Sequence, residues 1–127
     1  MAEKVHQIHE FECGIYPRNL WITVGAPIDV LRDFFGKDLP EMDKDAAADV
    51  TLVHADKPKP RGGVLIRFEN RKELNTENIC HEAGHAALEI FHYCGAGINY
   101  DNQEPFCYLR GWIARMCDKV RRGKYED

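Results

Sequence analysis

The sequence has no long hydrophobic stretch. No apolar run approaches the roughly 18–20 residues that a transmembrane helix needs, and residues 1–14 are polar or charged throughout. A secretory signal would require an apolar stretch of about 7–15 residues in that region. The sequence therefore predicts neither a membrane span nor a signal peptide, and we expect a cytoplasmic protein without membrane partners.

Paired cysteines are also missing. The five cysteines are an odd number, and they are scattered along the chain with no C-x-x-C pair. This distribution does not fit a disulfide framework, and it is common in proteins of a reducing compartment. We therefore expect reduced, buried thiols at Cys13, Cys80, Cys94, Cys107 and Cys117.

The chain has no excess of positive charge. It carries 17 Lys and Arg against 21 Asp and Glu, which gives a formal net charge of -4. Without a basic field, nucleic acid is a poor choice of partner. The one local exception, residues 57–61 (KPKPR), is expected to form a solvated loop stiffened by proline.

Hydrophobic periodicity changes near residue 70. Segments before this point contain alternating or short apolar runs, and segments after it have apolar residues at helical spacing. The sequence predicts an α+β fold in a single domain of residues 1–127, with a mixed sheet of three or four strands. Strands are expected at residues 8–13, 20–24, 50–54 and 64–68, and helices at 28–35, 76–93 and 105–120. The acidic connection 39–49 has room for a short helical piece.

The run His81-Glu82-Ala83-Gly84-His85 is the HExxH pattern. Histidines at i and i+4 lie one turn apart on one helix face, with about 5–6 Å between their Cβ atoms, so both imidazoles can bind one metal ion. Glu82 lies roughly 100° around the helix from His81, where its carboxylate can reach a metal-bound water without competing for the metal. The pattern predicts a zinc site with His81 and His85 as ligands and Glu82 as general base.

A catalytic zinc site usually has a third protein ligand and one water. The H-E-x-x-H-x-x-G-x-x-H arrangement is excluded, because Leu88 and Phe91 stand where it needs Gly and His. Glu89 and His92 are further along the same helix, and His92 is about 10 Å beyond the second histidine. Both are too far away to share the ion while the helix is continuous.

Glu104 is the strongest remaining candidate for the third ligand. It follows His85 by 19 residues and stands where a loop turns into the last predicted helix. Gly95 and Gly97 allow that helix to fold back against the first one. Asp101 is the reserve candidate. The alternative for Glu104 is a purely structural role, because the helix dipole favours a negative charge at the N-terminus of a helix.

HEAGHAALEIF followed by NQEPFCYLRGWI resembles the zincin metallopeptidases of the gluzincin kind, in which HExxH precedes a ligating Glu in the next helix. The segment is also similar to small zincin-like proteins encoded by phages and prophages. The resemblance covers residues 62–120. The helical subdomain that supplies substrate pockets in larger gluzincins is nearly absent.

The resemblance implies a mechanism and a substrate class. Zn²⁺ held by His81, His85 and Glu104 activates a water, and Glu82 transfers its proton to the leaving amine of a peptide bond. The strand at residues 64–68 would be an edge strand that pairs with an extended peptide of an intracellular protein. Candidates for the oxyanion partner are Tyr93, Tyr100, Tyr108, His92 and Arg110.

A second function agrees with the same motif. The chain could be a non-catalytic zinc-binding module that acts in binding or phage assembly. Glu82 argues for the hydrolase, because a purely structural metal site needs only its ligands.

Overall fold

The computed structural model describes residues 7–123, and they form a four-stranded sheet with three α-helices. This confirms the predicted α+β class, the strand number and the three helices. In chain order the elements are β1 (His9–Glu12), β2 (Asn19–Val24), α1 (Ile28–Phe35), β3 (Ala48–Ala55), β4 (Arg61–Phe68), a 3-10 turn (Arg71–Glu73), α2 (Thr76–Cys94) and α3 (Glu104–Arg122). Within residues 7–123, no helix combines the length and the apolar character that crossing a bilayer requires.

The sheet order is β1-β2-β4-β3, with β2 and β4 parallel and the outer pairs antiparallel. The expectation that residues 64–68 form an edge strand is therefore wrong. β4 pairs with a strand on each side, and its residues from Gly63 to Phe68 are all buried. A continuous apolar run is typical of such a central strand. The edge strand beside the motif helix is β3.

Helices cover both faces of the sheet. Alternate residues of the strands point to opposite faces, so each strand contributes to two cores. One face packs against α1, with Trp21, Leu31, Leu39, Ala55 and Leu65 buried there. The other face packs against α2 and α3, where Leu20, Ile22, Val64, Ile66 and Phe68 meet the buried helix residues.

The motif helix α2 begins and ends as predicted. The Asn75 side chain accepts a hydrogen bond from the Asn78 N–H at 2.9 Å, and Gly95 ends the helix with φ 71°. Five apolar residues at helical spacing are buried: Ile79, Ala83, Ala86, Ala87 and Ile90. The Tyr16 ring, just before β2, lies 5.8 Å from the Phe91 ring near the end of α2. The helix therefore runs antiparallel to β2 and β4 and parallel to β3.

Two further expectations fail. Residues 36–47 contain no helical piece, since the chain there forms turns and irregular structure.

The cysteines are free but not uniformly buried, because Cys80, Cys94 and Cys107 are exposed. Burial raises the thiol pKa of Cys13 and of Cys117 to about 12. Only these two therefore match the prediction of buried thiols.

Candidate metal site

His81 and His85 converge on the exposed side of α2. Their Nε2 atoms are 3.2 Å apart, and their ring centroids are separated by 4.8 Å. Two imidazole nitrogens bound to one tetrahedral zinc ion at 2.0–2.1 Å would be about 3.3–3.4 Å apart. The pair therefore has the separation that zinc requires. It also permits a hydrogen bond between the rings when one Nε2 carries a proton.

Glu82 lies on the buried side of the same helix, whereas His81 and His85 are exposed. It is 7% exposed and lines a cavity of about 320 Å³ between α2 and the start of β3. Burial raises the pKa of its carboxyl group, and the nearby imidazoles of His81 and His85 oppose that shift. The helix thus separates a buried carboxylate from two exposed imidazoles, as the i, i+1, i+4 spacing predicts.

The start of edge strand β3 forms the other wall of this cavity, at residues 48–50. Val50 packs toward α2, so the side chain of Asp49 points to the opposite face of the sheet. There Arg67 donates two hydrogen bonds to the Asp49 carboxylate, at 2.9 and 2.7 Å, and a third to the Pro40 carbonyl. The Asp49 carboxylate is therefore engaged in an ion pair with Arg67.

The structure does not bring Glu104 to the histidine pair. Glu104 is the first residue of α3 and is exposed. Phe106 contacts Phe91, with 5.7 Å between the ring centroids, so this end of α3 lies at the far end of α2. Asp101 is exposed in the preceding loop. Within residues 7–123, no three His, Cys, Asp or Glu side chains are grouped to hold a metal ion.

Glu89 and His92, which the sequence placed too far away for ligation, have distinct positions. Glu89 is half-buried and lines the same cavity as Glu82 and the two histidines. His92 lines a second cavity further along α2. Neither forms a three-residue metal group with the motif.

The structure distinguishes among the candidate oxyanion partners. Arg110 reaches from α3 across Gly84, and its guanidinium donates a hydrogen bond to the Cys80 carbonyl at 3.0 Å. It lies on the opposite flank of the histidine pair from Glu82. Tyr93 lies under the Arg18 guanidinium, 3.9 Å from it, and the other two tyrosines are exposed.

The position of Arg110 beside Gly84 is a feature of the site that the sequence did not indicate. A Cβ at position 84 would be 3.6–3.8 Å from the guanidinium, which is ordinary van der Waals contact. The glycine at the centre of the motif was the available signal, but it did not indicate which residue would lie beside it.

Comparison of the chain with protein-family models, curated proteins and solved structures finds no match.

Proposed function

We propose that this chain is a zinc-dependent metallopeptidase of the zincin type. One observation carries the proposal: two imidazole nitrogens lie 3.2 Å apart, and the motif's carboxylate is buried beside them in a cavity. A helix with a purely structural role would not need two exposed histidines at the separation of metal ligands, next to a buried glutamate. A structural site would need no Glu82.

His81 and His85 would hold a zinc ion through their neutral Nε2 atoms. When bound, zinc lowers the pKa of water toward about 7 and polarises a carbonyl group. Glu82 accepts a proton from the attacking water and later donates it to the leaving amine. Its burial excludes bulk water, so the carboxylate competes with little solvent for that proton.

The substrate is an extended peptide paired to β3. This strand is an edge of the sheet, and its residues 48–50 line the cavity that contains Glu82. An open edge offers unpaired N–H and C=O groups to an incoming strand. A peptide added at the start of β3 lies beside the cavity that contains Glu82.

Arg110 supplies the positive charge on the other flank of the pair. Its guanidinium lies beside Gly84 and donates to the Cys80 carbonyl, and a guanidinium has five N–H donors in total. The remaining donors can stabilise negative charge that develops on a substrate oxygen.

The substitution Glu82→Gln tests the proposal, because it removes a proton acceptor and keeps the shape and both histidines. We expect zinc affinity close to that of the unmodified protein and a fall in peptide hydrolysis of roughly 10²–10⁴-fold. Glu77→Gln, at an exposed site in the first turn of α2, is the matched control and should change neither quantity. Equal hydrolysis by the Glu82→Gln and Glu77→Gln proteins would contradict the proposed role. Zinc binding without hydrolysis of any peptide would favour the non-catalytic module.

A further inference from the structure

A second cavity, of about 610 Å³, opens beside the candidate metal site. It is separate from the cavity that holds Glu82, but Glu89 lines both of them. The two cavities therefore adjoin along α2. The residues that line the second one are Leu88, Glu89, Phe91, His92, Ala96 and Ile98.

The second cavity is on the same face of α2 as the metal ligands. His81, His85, Leu88 and His92 follow spacings of four, three and four residues, which is one row along a helix surface. The midpoint of Leu88 and His92 is about 10 Å along the axis from the midpoint of the histidine pair. A substrate bound at the metal can reach this cavity.

The cavity presents apolar side chains to solvent. Leu88 is 47% exposed and Ile98 is 42% exposed, while Phe91 at its base is buried. Neither exposed residue belongs to the two cores of the fold. The cavity can therefore remove an apolar side chain of a ligand from water, which is favourable.

The wall of the cavity is fixed by the end of α2. The Ala96 N–H donates to the Phe91 carbonyl at 2.9 Å, and the Gly95 N–H donates to the His92 carbonyl at 3.2 Å. These two bonds with the left-handed Gly95 form a Schellman motif. A site that is already ordered loses less conformational entropy on binding.

The orientation of β3 shows which part of a peptide reaches the cavity. β3 runs parallel to α2, and antiparallel pairing is the more common arrangement of neighbouring strands. A peptide paired antiparallel to β3 runs from the end of α2 back toward its start. Residues N-terminal to the cleaved bond then lie over the second cavity. At about 3.3 Å per residue, a distance of about 10 Å corresponds to three extended residues.

We propose that this cavity is a specificity pocket for a bulky apolar side chain located two or three residues N-terminal to the cleaved peptide bond. This inference rests on the proposed peptidase function. The substrate class is accordingly an extended peptide segment with Leu, Ile, Met or Phe at that position.

The test is a cleavage map. The zinc-loaded full chain is incubated with a randomised peptide library, and the cleavage sites are read by mass spectrometry. Apolar residues should be enriched two or three positions before the cleaved bond. Leu88→Arg should raise KM and lower kcat/KM for such peptides about tenfold or more, with kcat nearly unchanged. It should also favour Asp or Glu at the same position.

Ile15→Arg is the matched control, since Ile15 is 91% exposed and lines neither cavity. Ile98→Arg provides a second variant if Leu88→Arg does not fold. Cleavage with no apolar preference, with a preference only after the cleaved bond, or with equal preferences in the Leu88→Arg and Ile15→Arg proteins would overturn the pocket and leave the peptidase intact. A zinc-bound protein that cleaves no peptide would overturn both.

Discussion

His81, Glu82 and His85 illustrate how one helix turn separates metal ligands from a base. The rotation of about 100° per residue leaves both histidines exposed and places Glu82 against β3. Each side chain then has the environment its proposed task needs. The imidazoles are open to an ion and to substrate, and the carboxylate is shielded from bulk water.

The position of Glu104 at the far end of α2 leads to a prediction that differs from the ligand set suggested by the sequence. We expect Glu104→Ala to leave zinc affinity within a few-fold of the unmodified protein, because this side chain is exposed and is not grouped with the histidines. His85→Ala removes a ligand and should weaken zinc binding far more. Isothermal titration of both variants gives the comparison. A loss in Glu104→Ala as large as that in His85→Ala would restore Glu104 as a ligand.

At the residue scale, the sequence predicted the relative positions of the motif residues but not the residues that surround them. Helical spacing is a local property, so the relative positions of His81, Glu82 and His85 follow from the chain alone. The partner of Arg110 and the position of Glu104 depend on how α3 packs against α2. That register is set by contacts such as Phe91 with Phe106, which spacing does not reveal.

At the scale of elements, the sheet determines what lies beside the motif helix. The parallel pairing of β2 with β4 makes β4 central and leaves β3 as the edge. The sequence predicted all four strands, because alternation and apolar runs are local signals. The resemblance to the gluzincins implied the wrong edge strand, because strand order depends on pairing between distant segments.

Two glycines give opposite predictions for the same substitution. A Cβ at Gly63, in β4, would overlap the backbone carbonyl of Asn19 in β2, and neither strand can move freely within the sheet. We expect Gly63→Ala to destabilise the fold by about 2 kcal/mol or more.

Gly84→Ala is the comparison, because the atoms nearest to its Cβ belong to the Arg110 guanidinium and lie at ordinary contact distance. Alanine is favoured over glycine inside a helix by about 0.8–1.0 kcal/mol, so this variant should be at least as stable as the original. Denaturant unfolding measures both free energies. Equal stability of the two variants would show that β2 and β4 do not approach each other as described.

At the scale of the whole molecule, Arg61 ties the first strand to the β3–β4 turn. Its guanidinium donates to the Glu10 carboxylate, at 2.8 Å for one of the bonds, and to the carbonyls of Lys57 and Lys59. Residues 57–60 are exposed, as expected for a solvated loop, whereas Arg61 is half-buried and begins β4. The hydrogen bond from Arg61 lowers the pKa of Glu10 below its usual value of 4.5.

The lowered pKa predicts a defined pH dependence of stability. A carboxyl group with a lower pKa in the folded state stabilises the protein above its unfolded pKa, and the contribution is lost as pH falls through the folded pKa. Glu10→Gln should therefore cost at most about 1 kcal/mol at pH 7 and nearly nothing near pH 2.

Thermal unfolding at the two pH values tests this prediction. Glu12→Gln, on the same strand and exposed, is the control and should have little effect at either pH. A cost of Glu10→Gln that is the same at both pH values would contradict the ion pair.

The most direct test of the proposed zinc site is a zinc titration of the protein purified without a histidine tag. We expect one ion per chain, lost in His81→Ala and in His85→Ala, and a higher melting temperature with zinc that a chelator reverses. At a free zinc concentration of 100 Kd the gain in folding free energy should be about 2.7 kcal/mol. Absence of bound zinc, together with a melting temperature that neither zinc nor chelator changes, would contradict the central claim.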